Sequence, residues 1–217
     1  MTERGMIFNA EMVRAIFDGS KTQTRRIMKV QPDSPNFGLL RITESTKSTD
    51  IGKYHWAESN ATGTHSRSAL FSSPFGQPGD RIWVREAFRV MGCATDVARL
   101  MYYASERNSF TEATRTVPVA SCTKQPSQQW TPSIHMPRWA SRITLEITDV
   151  RVERLNSITE DDARSEGIAP AAGGVDKGWE HRINFRELWF SIYGADSWQA
   201  NPWVWVIEFR RVEGEAA

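Results

Sequence analysis

Between Gly19 and Arg26 the chain reads Gly-Ser-Lys-Thr-Gln-Thr-Arg-Arg, so one ammonium, two threonine hydroxyls and two guanidinium groups fall within six residues. A threonine hydroxyl is a poor nucleophile until a base removes its proton, and a lysine can be that base where burial lowers its pKa. Arg26 or a backbone N–H could then stabilise an oxyanion. The same stretch also suits a different chemistry. Lys21, Arg25 and Arg26, with Arg138 and Arg142, could sit on phosphates while a tryptophan stacks on a base. The plainest use of such residues is a solvated turn that leads into an edge strand.

The elements around this stretch must place it. Asn9 is a good N-cap, Met12, Val13, Ile16 and Phe17 recur at helical spacing, and Gly19 stops the helix. Thr22 to Met28 favours a strand. On a regular strand, positions 21 and 24 face opposite sides, so Lys21 belongs in the turn and only the threonines in the strand. Further on, Thr159 caps a helix whose first turn is Glu160-Asp161-Asp162, and Gly167 ends it. Glu166 then sits where the helix dipole disfavours a carboxylate, which marks it as a candidate for a functional task.

The remaining chain sorts into strands and irregular stretches. Met6-Ile7-Phe8, Arg81–Glu86, Met101–Ala104, Ser141–Arg154 and Trp203–Arg211 read as strands. Ile143, Leu145 and Ile147 share one parity and Val150 and Val152 the other, which predicts a bulge near Thr148-Asp149. A second helix is expected from about His181 to Tyr193, with Ile183, Leu188 and Ile192 as core candidates and residues 169 to 178 as a flexible link. Residues 31–77 and 106–130 lack periodicity and read as irregular surface insertions near the mouth of a pocket, expendable for folding over 40–70. His55 and His65 fall in the first of these and read as surface histidines, with no ligand-spaced partners for a metal. His135, bracketed by Pro132 and Pro137, reads as a structural histidine in a rigid turn.

Composition bounds the function. At 217 residues the chain suits one domain over 1–217. Lys plus Arg number 27 and Asp plus Glu 26, so a net charge of +1 makes no global case for nucleic acid. The two cysteines, Cys93 and Cys122, exclude a disulfide framework and a four-thiolate zinc site. Neither a signal peptide nor a membrane span is legible, and a cytoplasmic protein without cofactor, metal or membrane contact is expected.

The series of segments resembles the ASCH family, a branch of the PUA-like superfold. The residues that carry the likeness are Gly19-x-Lys21-Thr22-x-Thr24-x-Arg26, Pro78-Gly79-Asp80, the helix from Ile158-Thr159-Glu160 to Glu166-Gly167, and the closing Trp205-Val206-Ile207-Glu208-Phe209. They cover about half of the chain, which looks like a longer phage or prophage version. The likeness implies an α+β fold: a small curved β-barrel with flanking short helices and long loop insertions. It also implies a chemistry, because a small bacterial member removes the acetyl group from N4-acetylcytidine with a lysine, a threonine and a glutamate. These carry over to Lys21, Thr24 and Glu166 as the catalytic set. Thr22, Arg26, Trp83, Arg85, His135 and Arg138 are the candidates for substrate contact. A modified nucleoside or RNA is the expected partner. Other members of the family imply an RNA-binding module or a ribonuclease instead, and a phage accessory protein that contacts other proteins is the third possibility.

Overall fold

The computed structural model describes residues 1–58, 67–171 and 178–212. In chain order these form β1 (Glu3–Ile7), α1 (Ala10–Phe17), β2 (Gln23–Ile27), β3 (Phe37–Arg41), β4 (Tyr54–Glu58), β5 (Arg81–Arg85), β6 (Phe88–Cys93), β7 (Val97–Tyr102), α2 (Phe110–Ala113) and β8 (Thr114–Pro118). Then follow β9 (Thr144–Arg154), α3 (Glu160–Ser165), α4 (Glu180–Tyr193), α5 (Asp196–Gln199) and β10 (Trp203–Arg211). The class is mixed α+β.

Five strands make the main sheet in the order β1-β5-β9-β10-β2, antiparallel throughout except for the β1–β5 pair. Alternation along β10 gives the sheet two apolar faces. Trp205, Ile207 and Phe209 point into a core with Phe8, Val13, Ile16, Ile82 and Leu145. Val204 and Val206 point the other way, against Leu155, Ile158, Phe185 and Trp189. The expected bulge is present. Glu208 pairs with Asp149 while Phe209 pairs with Ile147, which leaves Thr148 as the extra residue. That shift returns Val150 and Val152 to the core face that Leu145 and Ile147 already occupy.

Several expectations need correction. The sheet does not close into a barrel: β1 and β2 are its two edges. Their approach is made by a side chain instead of a ladder. Arg26 Nη2 donates to the Ile7 carbonyl at 2.7 Å, and its guanidinium lies 5.5 Å from the Phe8 ring centre. Nor are the insertions wholly irregular. β3 and β4 form a hairpin inside 31–77, and Trp56 on β4 is fully buried in the main core. Phe37, Leu39, Tyr54, Phe71 and Phe75 pack against the same core. In 106–130, α2 and β8 are regular, and β8 completes a sheet of order β6-β7-β8 with Val117 buried.

In α4 the buried residues are Phe185 and Trp189, not Ile183, Leu188 and Ile192. The helix turns the face with the larger aromatic area toward Val204 and Val206, which buries more apolar surface. His55 is half-buried rather than at the surface, with its Nδ1 enclosed and unpartnered. His65 and most of the 169–178 link lie outside the described residues. Among the described residues no helix is long and apolar enough to cross a membrane, and no group of His, Cys, Asp and Glu is arranged to hold a metal.

Candidate functional site

Gly19 takes φ +80 just past α1, a conformation that glycine adopts without strain, and the chain turns there into Lys21. Lys21 sits before β2 in a single-residue bridge to Glu166, as the opposite parity of positions 21 and 24 requires. Its amide donates to the Ala15 carbonyl at 2.9 Å, and the Thr22 amide donates to Ser165 at 2.8 Å. The junction is tight. Gly167, at φ +76, lies so close that a Cβ on it would stand 2.6 Å from the Ala15 Cβ and 2.8 Å from the Lys21 Cβ.

This packing buries the Lys21 ammonium completely. Nζ donates to Glu166 Oε2 at 2.7 Å and to the Glu166 carbonyl at 2.8 Å. One ammonium thus caps the end of α3 and pairs the carboxylate that the dipole disfavours there. Burial pushes the Lys21 pKa down, against the opposing pull of Glu166, and the Arg25 and Arg26 charges push it further down. A lysine so placed yields its proton more readily than one in water.

Glu166 also lines a narrow cleft at the open edge of β2. Thr24, Arg25 and Arg26 form its polar wall with Glu166, and Met12 and α4 residues that include Leu188, Trp189 and Ile192 form its apolar wall. Leu188 and Ile192, expected in the core, are cleft residues one helical turn apart. The free volume is about 20 Å³, room for roughly one water molecule. Thr24 and Glu166 thus line one cleft, while Lys21 pairs with Glu166 and is not itself part of the cleft wall.

Arg25 is the residue that the sequence did not assign to this cleft. Its guanidinium is fully buried, with Nη2 3.0 Å from Glu153 Oε2 and 3.2 Å from Asp162 Oδ2. Nη1 stands 3.5 Å from Glu166 Oε1. Gln23 and Arg151 complete the network around Asp162, and Arg151 also pairs with Glu153 and Glu208. Burial opposes ionisation of Asp162. The Thr159 amide and hydroxyl, Arg25 and Gln23 overcome it and hold the carboxyl at about 2, below its ordinary 3.8.

A carboxyl depressed on folding contributes stability above its unfolded pKa and loses it as pH falls through the folded value. Asp162→Asn should therefore lower the Tm at neutral pH. Its deficit against the parent should shrink as pH falls from about 4 to about 2. Melts by circular dichroism across that range are the check, and a constant deficit would rule out this role.

The other substrate-contact candidates lie off the cleft wall. Thr22 is exposed. Trp83 covers Gly5 on β1, and Arg85 lies over its ring at 5.4 Å. Arg85 also donates to the carbonyls of Ser133 and Ile134. Arg138 makes a bidentate pair with Glu3, both bonds 2.8 Å. These contacts pin the 132–139 turn to β1 and β5 and leave His135 exposed. Arg26 reaches the cleft, but its Nη2 is committed to Ile7. The phosphate-contact set fares similarly: Lys21, Arg25 and Arg138 are paired with carboxylates, and Arg142 is held bidentate by the buried Glu86 at 2.8 and 2.9 Å.

A larger depression of about 670 Å³ lies between the end of α1 and α2–β8, lined by residues that include Arg14, Phe17, Asp18, Glu112 and Arg142. Its charges are mixed. No protein-family model, curated protein or solved structure matches the chain. What the site does must be read from its own groups.

Proposed function

We propose that the chain is an ASCH-type amide hydrolase that converts N4-acetylcytidine, or a related N4-acylated cytidine, to cytidine and the free acid. The observation that carries this is the fully buried Lys21–Glu166 pair, whose glutamate lines the same cleft as Thr24. Two charges taken out of water cost more than an isolated surface pair returns, so a fully buried lysine is an expensive way to hold two elements together. As a base of lowered pKa it has a use.

The steps balance. Neutral Lys21 takes the Thr24 hydroxyl proton as Thr24 Oγ bonds to the acyl carbon. The tetrahedral intermediate collapses, the C–N4 bond breaks, and Lys21 returns the proton to N4 as cytidine leaves. Water then attacks the threonine ester with Lys21 again as base, and the acid departs as Thr24 regains its proton. Glu166 keeps Lys21 in place throughout. Because the cleft as it stands holds about one water, the substrate enters with outward displacement of α4, whose N-terminus is tethered by Glu160 to the His181 and Arg182 amides at 2.7 and 3.1 Å.

Incubation of the purified protein with N4-acetylcytidine, followed by chromatography for cytidine, tests the proposal. Cytidine should accumulate in proportion to enzyme and time. No cytidine above the buffer control overturns it.

A further inference from the structure

Three polar groups at the cleft have no partner. Glu166 Oε1, Arg25 Nη1 and Arg25 Nε are all enclosed and make no hydrogen bond. At 3.5 Å, Nη1 and Oε1 are too far apart to satisfy each other well. A buried charged group left unsatisfied is destabilising. Both residues line the cleft beside Thr24, and each is otherwise clamped, Glu166 by Lys21 and Arg25 by Glu153 and Asp162. The result is a fixed acceptor next to a fixed donor.

Resting on the amidase reading above, we infer that Arg25 Nη1 and Glu166 Oε1 together read one edge of the leaving group, an exocyclic N–H beside a ring-nitrogen acceptor. Adjacent donor and acceptor atoms on a planar edge can bond both protein atoms side by side. A lone trans amide cannot, because its N–H and C=O point in opposite directions, and an ester has no N–H at all. The 4-aminopyrimidine edge has the required order: N4–H to Glu166 Oε1, and Arg25 Nη1–H to N3. Oε1 then lies next to the nitrogen that departs. The hydrocarbon wall of α4 is left to meet the C5–C6 side of the ring and the acyl methyl group.

The test compares N4-acetylcytidine with N4-acetyl-3-deazacytidine, which differ only in the ring nitrogen. We take kcat/KM for each, divided by the rate of alkaline hydrolysis of the same compound to remove intrinsic reactivity. The parent should prefer the ring-nitrogen substrate at least about a hundredfold, since a site with a buried hydrogen-bonding group rejects an analogue that leaves it unpaired. In Arg25→Lys, which keeps the charge but not the reach of Nη1, that preference should fall roughly tenfold or more, while the melt reports any structural loss separately. If Arg25→Lys does not fold, the parent's ratio alone decides. Equal corrected rates for the two compounds overturn the inference and leave the amidase reading standing, whereas a parent inactive on both overturns the two together.

Discussion

Thr24→Ala should lose at least about a thousandfold in kcat on N4-acetylcytidine, and Lys21→Met combined with Glu166→Gln should lose a similar factor. The two losses should not add when all three changes are combined, because a base without its nucleophile has nothing to activate. The choice of variants follows from burial. Half-exposed polar groups would tolerate single alanine changes, but the Lys21 side chain is 0% exposed and Glu166 is 4% exposed. Lys21→Ala alone would strand the carboxylate, at a cost of about 3–5 kcal/mol, and confuse unfolding with lost chemistry. Removing both charges leaves no stranded ion. Thr24→Ala removes a hydroxyl and a methyl group from a buried position, so a modest loss of Tm is expected and is measured beside the turnover.

The pH profile carries the same signature. In the proposed mechanism the active form of Lys21 is the neutral one, and burial lowers its folded pKa below the ordinary 10.5. Activity should therefore rise with pH through that folded value and reach its plateau before an exposed lysine would titrate. Substantial turnover by the variant that lacks both Lys21 and Glu166 charges would end the Lys21-as-base account.

Trp56→Ala has the largest expected effect on stability. The ring is fully buried, donates from Nε1 to the Val30 carbonyl at 3.1 Å, and packs against Trp203 and Phe71 with ring centres 5.2 and 6.1 Å away. Truncation of a buried tryptophan to alanine costs about 3–5 kcal/mol, from lost transfer energy and the cavity left behind. That is a large share of the about 5–15 kcal/mol that holds a typical domain together. Deletion of residues 40–70 removes Trp56 together with the hairpin strand that carries it, and the product should show no cooperative melt. Urea unfolding of Trp56→Ala and a thermal scan of the deletion are the measurements. A deletion protein that melts near the parent's Tm would return this segment to the surface.

The difference between legible and illegible parts of this chain is one of range. Asn9 and Thr159 as N-caps, the Gly167 stop and a bulge near Thr148-Asp149 all depend on residues within a few positions of each other, and each is readable. The hairpin of β3 and β4 was not. Its strands have five residues each, and the apolar anchors Phe37, Leu39, Tyr54 and Trp56 are diluted by serine, threonine and lysine between them. Contact with Trp205 and Trp203 on β10 carries Tyr54 and Trp56 into the core.

At the site, the parity of Lys21 and Thr24 and the placement of Glu166 at a helix end point to three residues, of which the fold pairs Lys21 with Glu166 and sets Thr24 and Glu166 on one cleft. Arg25 reads from the sequence as a phosphate contact. Its burial follows from Glu153 on β9, Asp162 on α3 and Glu166, partners between 128 and 141 residues away in sequence. Trp83, Arg85 and Arg138 had the right chemistry for a ligand but spend it on the turn at 132–139, a destination that composition does not reveal.

The claim that Thr24 forms a covalent acyl intermediate can be tested without reference to rates. The parent is mixed with excess N4-acetylcytidine, quenched in acid during turnover, and digested, and the peptides are weighed by mass spectrometry. The expected result is the mass of one acetyl group on the peptide that bears Thr24, absent in Thr24→Ala and removed when the unquenched enzyme exhausts its substrate. Cytidine release that proceeds equally well in Thr24→Ala, with no acetyl group on any peptide of the parent, would contradict it.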